Sequence, residues 1–285
     1  MILITGASGL AGGQVLAHAL AQGLTPKAMY RTAQEAAQAP AGATPVIADY
    51  ANPPTLQAAL EGIETVYLVC GPIPQLVNYE TAMLTACKNA GVRHIVLNSA
   101  LGAGDWPKSF PSWHHQVEQN LAASGIAHTI IRPNGFMQNI VTYNAQTIRT
   151  QHAFYAAMGD AKTSLIDVRD VAAVIAAILA NPSRHAGRTY ELNGPEAVTN
   201  AEIAARITRV TGTPVSYVEI PEEAQRQAML GAGMPEWQVT AILELQEYYR
   251  TGRCATVDET VASVTGRPPR TLDAYLEENA AAFKG

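Results

Sequence analysis

Hydrophobic positions fall into short unbroken runs separated by stretches with helical spacing. Residues 1–5 (MILIT) form the first run, glycines follow at 6, 9 and 12, and residues 14–21 carry apolar side chains at helical period. Apolar, β-rich runs recur at 26–30, 44–48, 65–70, 94–97 and 127–131, with helical patterns at 54–60, 79–90 and 117–123. An unbroken apolar run suits a strand covered on both faces, and its alternation with helices predicts a parallel sheet with helices on each side. The predicted class is α/β, a Rossmann-like doubly wound parallel sheet. Near residue 194 the pattern changes. Helices over 200–211, 222–230, 236–250 and 271–283 surround one short strand at 215–220, which predicts a small, mostly helical C-terminal lobe. The implied boundaries are 1–193 for a dinucleotide-binding domain and 194–285 for a substrate lobe, with 135–165 contributing to the substrate cleft.

Composition narrows the classes. Of 285 residues, 48% are hydrophobic and 15% charged, enough for a sizeable core and too apolar for a disordered chain. A net charge of −5 with no basic block argues against nucleic acid as the main partner. No apolar stretch reaches membrane-spanning length, and the first run lacks a basic flank and breaks at Gly6, unlike a signal peptide. Cys70, Cys87 and Cys254 are widely spaced, which predicts reduced thiols in a cytoplasmic protein rather than a disulfide framework or a metal site.

The residues that follow each strand carry the chemistry, because ligands of such sheets lie past the carboxyl ends of the strands. In Thr5-Gly6-Ala-Ser8-Gly9-Leu10-Ala-Gly12, Gly6 suits the tight turn off the strand and Gly9 a close approach to phosphate. Gly12 suits tight packing of helix on sheet. The helix that follows offers unpaired N–H groups to a pyrophosphate. Arg31 ends the second strand, where an NAD-binding chain usually carries an acid. Its planar fork suits a 2′-phosphate, so NADPH is expected as cofactor and NADH less so, with no flavin and no metal. Asp49, after the third strand, either meets the adenine or closes the turn into Asn52-Pro53. Gly71 and Pro72, after the fourth, would flank the nicotinamide ribose.

Several segments resemble one family. They are the Thr5 to Gly12 turn, the Arg31 strand end, the run from Ser124 through Arg132-Pro133 to Asn139, Asp167-Val-Arg-Asp170, and Tyr190-Glu-Leu-Asn-Gly194. Together they look like an atypical short-chain dehydrogenase/reductase of the NmrA-like type, over nearly the whole chain. That resemblance implies NAD(P)H-dependent reductases of quinones, azo dyes and triphenylmethane dyes, or redox-sensing regulators that bind dinucleotide without turnover. It also places Pro133 beside the cofactor.

The departure from ordinary short-chain dehydrogenases lies on the helix after the fifth strand. These enzymes use a Tyr-x-x-x-Lys pair there, and no such pair occurs in the chain. If Glu118 is the acid that follows the pair, His114 stands at the Lys position and Phe110 at the Tyr position. Phe110 cannot move a proton, so ordinary alcohol–ketone interconversion is disfavoured. His114 either meets the nicotinamide ribose or substrate, or packs beside Trp113. Ser99, after the fifth strand, either bonds a substrate carbonyl or azo nitrogen, or caps backbone. Asn134, Phe136, Met137 and Asn139 follow the sixth strand and are expected, with Tyr143, to line the substrate pocket. Tyr155, Met229 and Trp237 either supply further aromatic and soft surface from the lobe or pack within it. The expected function is NADPH-dependent reduction of a small planar conjugated acceptor by direct hydride transfer. The alternative is a non-catalytic NADP(H) sensor, with an imine or isoflavonoid-type reductase as a third idea and a homodimer left open.

Overall fold

A computed structural model describes residues 1–284. Its strands are β1 (Ile2–Ile4), β2 (Lys27–Tyr30), β3 (Thr44–Ile47), β4 (Thr65–Leu68), β5 (His94–Asn98), β6 (Ala127–Pro133), β7 (Ala153–Ala156), β8 (Thr189–Leu192) and β9 (Ser216–Glu219). Seven form the main sheet in the order β3-β2-β1-β4-β5-β6-β8. The pairs β1–β2, β2–β3, β1–β4, β4–β5 and β5–β6 are all parallel. The chain builds outward from β1 to β3, then returns to start β4 on the other side of β1. That reversal makes the β1/β4 edge a topological switch point, where open α/β sheets bind ligands.

The helices are α1 (Leu10–Ala21), α2 (Ala33–Ala36), α3 (Pro53–Ala59), α4 (Leu76–Ala90), α5 (Ser109–Ser124), α6 (Ala145–Gln151), α7 (Val168–Ala180), α8 (Asn200–Thr211), α9 (Glu222–Gly231), α10 (Glu236–Arg250), α11 (Thr260–Thr265) and α12 (Leu272–Glu278). One face of the sheet, through Leu3, Val66, Leu68, Ile95 and Leu97, is buried against Leu56, Leu76, Met83, Leu84, Val117 and Leu121 of α3, α4 and α5. Helices α1 and α7 pack together.

The chain divides into two compact units. The first comprises Met1–Asp105, Pro111–Arg132 and Val168–Glu191, and holds most of the sheet. The second comprises Trp106–Phe110, Pro133–Asp167 and Leu192–Gly285, of which Gly285 lies outside the described residues. It has its own apolar core, in which Met137, Ile148 and Phe154 meet Ile203, Ile207, Leu272 and Leu276. Strands β7 and β9 form a parallel pair within it.

Several elements differ from the sequence expectation. Helix α5 starts at Ser109 rather than 117, because Pro111 falls in the first turn, where a missing N–H costs nothing. Helix α7 and strand β8 went unpredicted. Helix α7 buries Val168, Val171, Val174, Ile175, Ile178 and Leu179 and has no polar stripe to announce a period. Helix α1 begins at Leu10, so Gly12 and Gly13 are helical rather than part of the loop.

Candidate active site

The turn after β1 is built from backbone. Thr5 Oγ1 donates to the Tyr67 carbonyl at 3.0 Å and accepts from Val69 N–H at 2.9 Å, which ties β1 to the end of β4. Gly6 then turns with φ +59°, a conformation that favours glycine. A Cβ on Gly12 would lie 2.1 Å from the Gly6 carbonyl oxygen and 2.7 Å from that of Thr5, so only glycine lets α1 approach this closely. Gly9 caps α1 without any side-chain hydrogen bond, and the first turn carries no acid. The first N–H groups of α1 therefore have no helical partner, and the helix dipole favours an anion there. Ser8, Gly9 and Leu10 are exposed around this opening.

The end of β2 carries more than the expected arginine. Arg31 is exposed, and its backbone N–H donates to Glu35 Oε2 at 3.1 Å. The sequence reading finds no carboxylate at this strand end. The structure supplies one from four residues further on, because Thr32 and Glu35 form a reciprocal capping box that folds the carboxylate back. Asp49 is half-buried and uses Oδ1 to accept from Ala51 N–H at 2.9 Å, closing its own turn. Gly71 and Pro72 are exposed beyond β4, and Pro133 is buried at the end of β6.

A second polar centre joins β5, α5 and β6. Ser99, 2% exposed, donates its hydroxyl to Glu118 Oε1 at 2.5 Å. Arg132 forks onto the same carboxylate, Nε to Oε1 at 2.9 Å and a terminal nitrogen to Oε2 at 2.6 Å. The Ser99 proton is thus committed to Glu118. His114 is buried one turn before Glu118, and its Nδ1 has no hydrogen-bond partner. Burial pushes its pKa down to about 4 against the opposing pull of Glu118, so the ring is neutral at pH 7. A buried, unsatisfied nitrogen is uncommon enough to require a reason, and a ligand hydroxyl would supply one.

The residues predicted to line the substrate pocket part company. Asn134 is buried and held on every side. Its amide donates to Asn193 Oδ1 and the Cys254 carbonyl, each at 2.9 Å, and its oxygen accepts from Gly135 N–H. Met137 is fully buried in the apolar core of the second unit. Phe136 is half-buried, Asn139 exposed, and Tyr143 57% exposed. Tyr155 and Trp237 are also exposed and Met229 half-buried.

The NmrA-like family model matches residues 1–276. The chain belongs to the NmrA-like family. It is 39% identical over 285 residues to an NAD(P)H azoreductase of Xenophilus azovorans, covering 99% of each chain. It is 35% identical over 285 residues, again 99% of each, to a (4-alkanoyl-5-oxo-2,5-dihydrofuran-3-yl)methyl phosphate reductase of Streptomyces griseus. Among solved structures it resembles the NADPH-dependent quinone oxidoreductase of Escherichia coli complexed with NADPH, with TM-score 0.89, 29% identity and coverage of 98% and 99% of the two chains.

The site residues of this NmrA-like chain fit a dinucleotide. The turn leaves space that a Cβ would fill, α1 opens uncapped toward it, Arg31 is exposed, and His114 carries an orphaned nitrogen. Two features escape sequence reasoning. Glu35 had a signal, since Thr32-x-x-Glu35 is a capping-box pattern. The Glu118–Arg132 fork joins residues 14 apart on different elements, and nothing local announces it.

Proposed function

We propose that the chain is an NAD(P)H-dependent reductase of small, planar, conjugated acceptors, such as a quinone, an azo compound or an unsaturated carbonyl. The observation that carries this reading is the shortage of acids on α5 and β5. Phe110 has no proton to give, His114 is neutral at pH 7, and the hydroxyl of Ser99 is held by Glu118. Such a site suits an acceptor whose reduced form is a delocalised anion that water can protonate, and does not suit alkoxide chemistry. The azoreductase and furanone reductase relatives are named for conjugated acceptors of this kind.

When bound, the coenzyme supplies a hydride to the electron-poor atom of the acceptor. The protein orients both partners, and most of the rate effect comes from that placement. Gly6, Gly9 and Gly12 keep the backbone open to the pyrophosphate, with Ser8 and Leu10 beside it. Arg31 meets a 2′-phosphate, which favours NADPH over NADH. The imidazole of His114 hydrogen-bonds the ribose beside the nicotinamide rather than acting as an acid. Asp49, Gly71, Pro72 and Pro133 border the same coenzyme, and Ser99 orients Glu118. Within the second unit, Phe136 and Tyr143 are the aromatic side chains we assign to the acceptor.

The test is loss of NADPH absorbance with a panel of quinones, azo dyes, enals and imines. Turnover well above background with quinone or azo acceptors is expected. No turnover with any acceptor, together with clear discrimination between oxidised and reduced coenzyme, would sink the enzyme reading and favour the sensor. Turnover confined to imines would favour the third idea.

A further inference from the structure

The carboxylate of Glu35 does more than its local geometry requires. A capping box needs one oxygen, and Oε2 serves it, accepting from Thr32 N–H and Arg31 N–H at 3.1 Å each and from Thr32 Oγ1 at 3.3 Å. Oε1 reaches elsewhere. It accepts from Ser8 Oγ at 3.1 Å, across 27 residues, in the glycine turn itself. Glu35 therefore bridges the turn after β1 to the end of β2. A dinucleotide folded over that edge lays its adenosine ribose between those two points, and in NAD-binding chains an acid at the strand end holds the 2′-hydroxyl there. Burial alone would raise the Glu35 pKa. The hydrogen bonds from Thr32, Ser8 and Arg31 outweigh it and hold the group below its ordinary value, so it is charged at neutral pH. Arg31 presents the opposite chemistry beside it, since its guanidinium is exposed and forms no ion pair with Glu35 among the described residues.

We propose that Glu35 is the coenzyme-selecting residue, accepting a hydrogen bond from the adenosine ribose of NADH where it now accepts from Ser8, and swinging off Ser8 to admit a 2′-phosphate onto Arg31. The inference rests on the dinucleotide reading above and deepens it. The two groups pull in opposite directions. A 2′-hydroxyl donates to the carboxylate and gains little from Arg31. A 2′-phosphate gains from Arg31 and is repelled by Glu35. The chain accepts both coenzymes because it carries both groups, and the NADPH preference is smaller than Arg31 alone would give.

Binding can be read without turnover. NADH, NADPH, 5′-AMP and 2′,5′-ADP are titrated by calorimetry into the full chain and into Glu35→Gln. The expected result is about tenfold weaker NADH and 5′-AMP, with severalfold tighter NADPH and 2′,5′-ADP, the size of one exposed charge-assisted contact. Ser8→Ala leaves the capping box intact and tests the same idea. It should tighten 5′-AMP and 2′,5′-ADP alike, because either ligand has to take the carboxylate off Ser8, and unchanged affinity for both would overturn the exchange. A purely local cap predicts otherwise. Glu35→Gln would then lower the melting temperature and shift all four ligands together, and that outcome overturns the proposal. If the unaltered chain binds none of the four, the dinucleotide reading itself fails. If it binds them and the ratio ignores residue 35, only the selector role fails.

Discussion

At the ends of β1 and β2 the polar groups that face outward are backbone N–H groups and the exposed Ser8 and Arg31, whereas around β5, α5 and β6 they are the buried Ser99 and Glu118 and the half-buried Arg132, already bonded to one another. The first arrangement is preorganised by main-chain geometry and leaves the first N–H groups of α1 open to a ligand, while the Ser8 hydroxyl is held by Glu35. The second satisfies itself and leaves little for a substrate to use. Their weaknesses differ accordingly. An open backbone site tolerates changes of polar side chain but not an added carbon. A closed side-chain site tolerates no lost partner, because each group was desolvated on the understanding that the others stay. Binding power is thus concentrated near Gly6 to Gly12, and the region beside α5 acts as a rigid wall rather than a proton reservoir.

The largest expected effect comes from filling the turn. In Gly12→Ala the new Cβ meets the carbonyl groups of Gly6 and Thr5, and backbone cannot yield as a side-chain tip can. The loss should exceed the ~1–3 kcal/mol of ordinary overpacking and abolish coenzyme binding. Gly9→Ala places its Cβ 3.2 Å from the Gly6 carbonyl oxygen and should weaken binding while leaving the fold intact. Thermal melts and coenzyme titrations separate the two. A Gly12→Ala chain with the parent's melting temperature and affinity would refute the close helix–turn packing.

Next comes Arg132→Met. It leaves Glu118 at 6% exposure with a hydrogen bond from Ser99 on one oxygen and His115 3.9 Å from the other, which should cost about 3 kcal/mol in urea unfolding. A loss under about 1 kcal/mol, the size of a surface pair, would mean that water already reaches the carboxylate.

That contrast also explains what could be read in advance. The glycine turn is legible because each glycine answers a local backbone need, and six strands are legible as unbroken apolar runs. The Ser99–Glu118–Arg132 centre is not, since its three residues come together only when β5, α5 and β6 are laid side by side. The start of α5 misleads for a local reason: Ser-Phe-Pro at 109–111 reads as a break, Ser109 has φ +56°, and its hydroxyl donates to the Ala241 carbonyl. Only with the helix extended to Ser109 do Phe110, His114 and Glu118 share one face at four-residue spacing. Helix α7 announces itself weakly because the face opposite its buried Val168, Val171, Ile175 and Ile178 is mostly alanine rather than polar.

Between the two centres, α4 carries Glu80, fully buried beneath β4. Burial raises its pKa to about 8, opposed by the backbone N–H of Cys70. A raised carboxyl stabilises the fold below its ordinary value of 4.5, and that contribution is lost as pH rises toward 8. Glu80→Gln keeps the neutral shape. It should be more stable than the parent at pH 8.5 by an amount on the order of a few kcal/mol, with the gap closing by pH 5. A gap independent of pH would show that Glu80 does not titrate in this range.

A smaller effect tests the open site. Arg31→Ala should weaken NADPH about tenfold and NADH hardly at all, since only the former brings a phosphate to the guanidinium. Equal losses for both, measured by calorimetry, would remove Arg31 from the 2′ position.

The smallest expected effect concerns His114, and it is the sharpest test of the closed wall. An ordinary histidine changes charge near pH 6.5, and a catalytic one would bend the pH profile there. Burial brings His114 down to about 4, so it stays neutral from about pH 5.5 upward. NADPH affinity and kcat should therefore show no inflection assignable to His114 between pH 6 and 8. The comparison that isolates the residue is the His114→Gln profile divided by the parent profile, which should be flat across that interval even if its level falls. The fold contributes the complementary signature. A histidine with a depressed pKa stabilises the native state above about 6.5, and that stability is lost as pH falls toward 4, so the Gln variant should lose less stability over that descent. A ratio that bends near 6.5 would mean that water reaches the imidazole, and with it a proton the acceptor could use. The region beside α5 would then be an acid–base site rather than a wall.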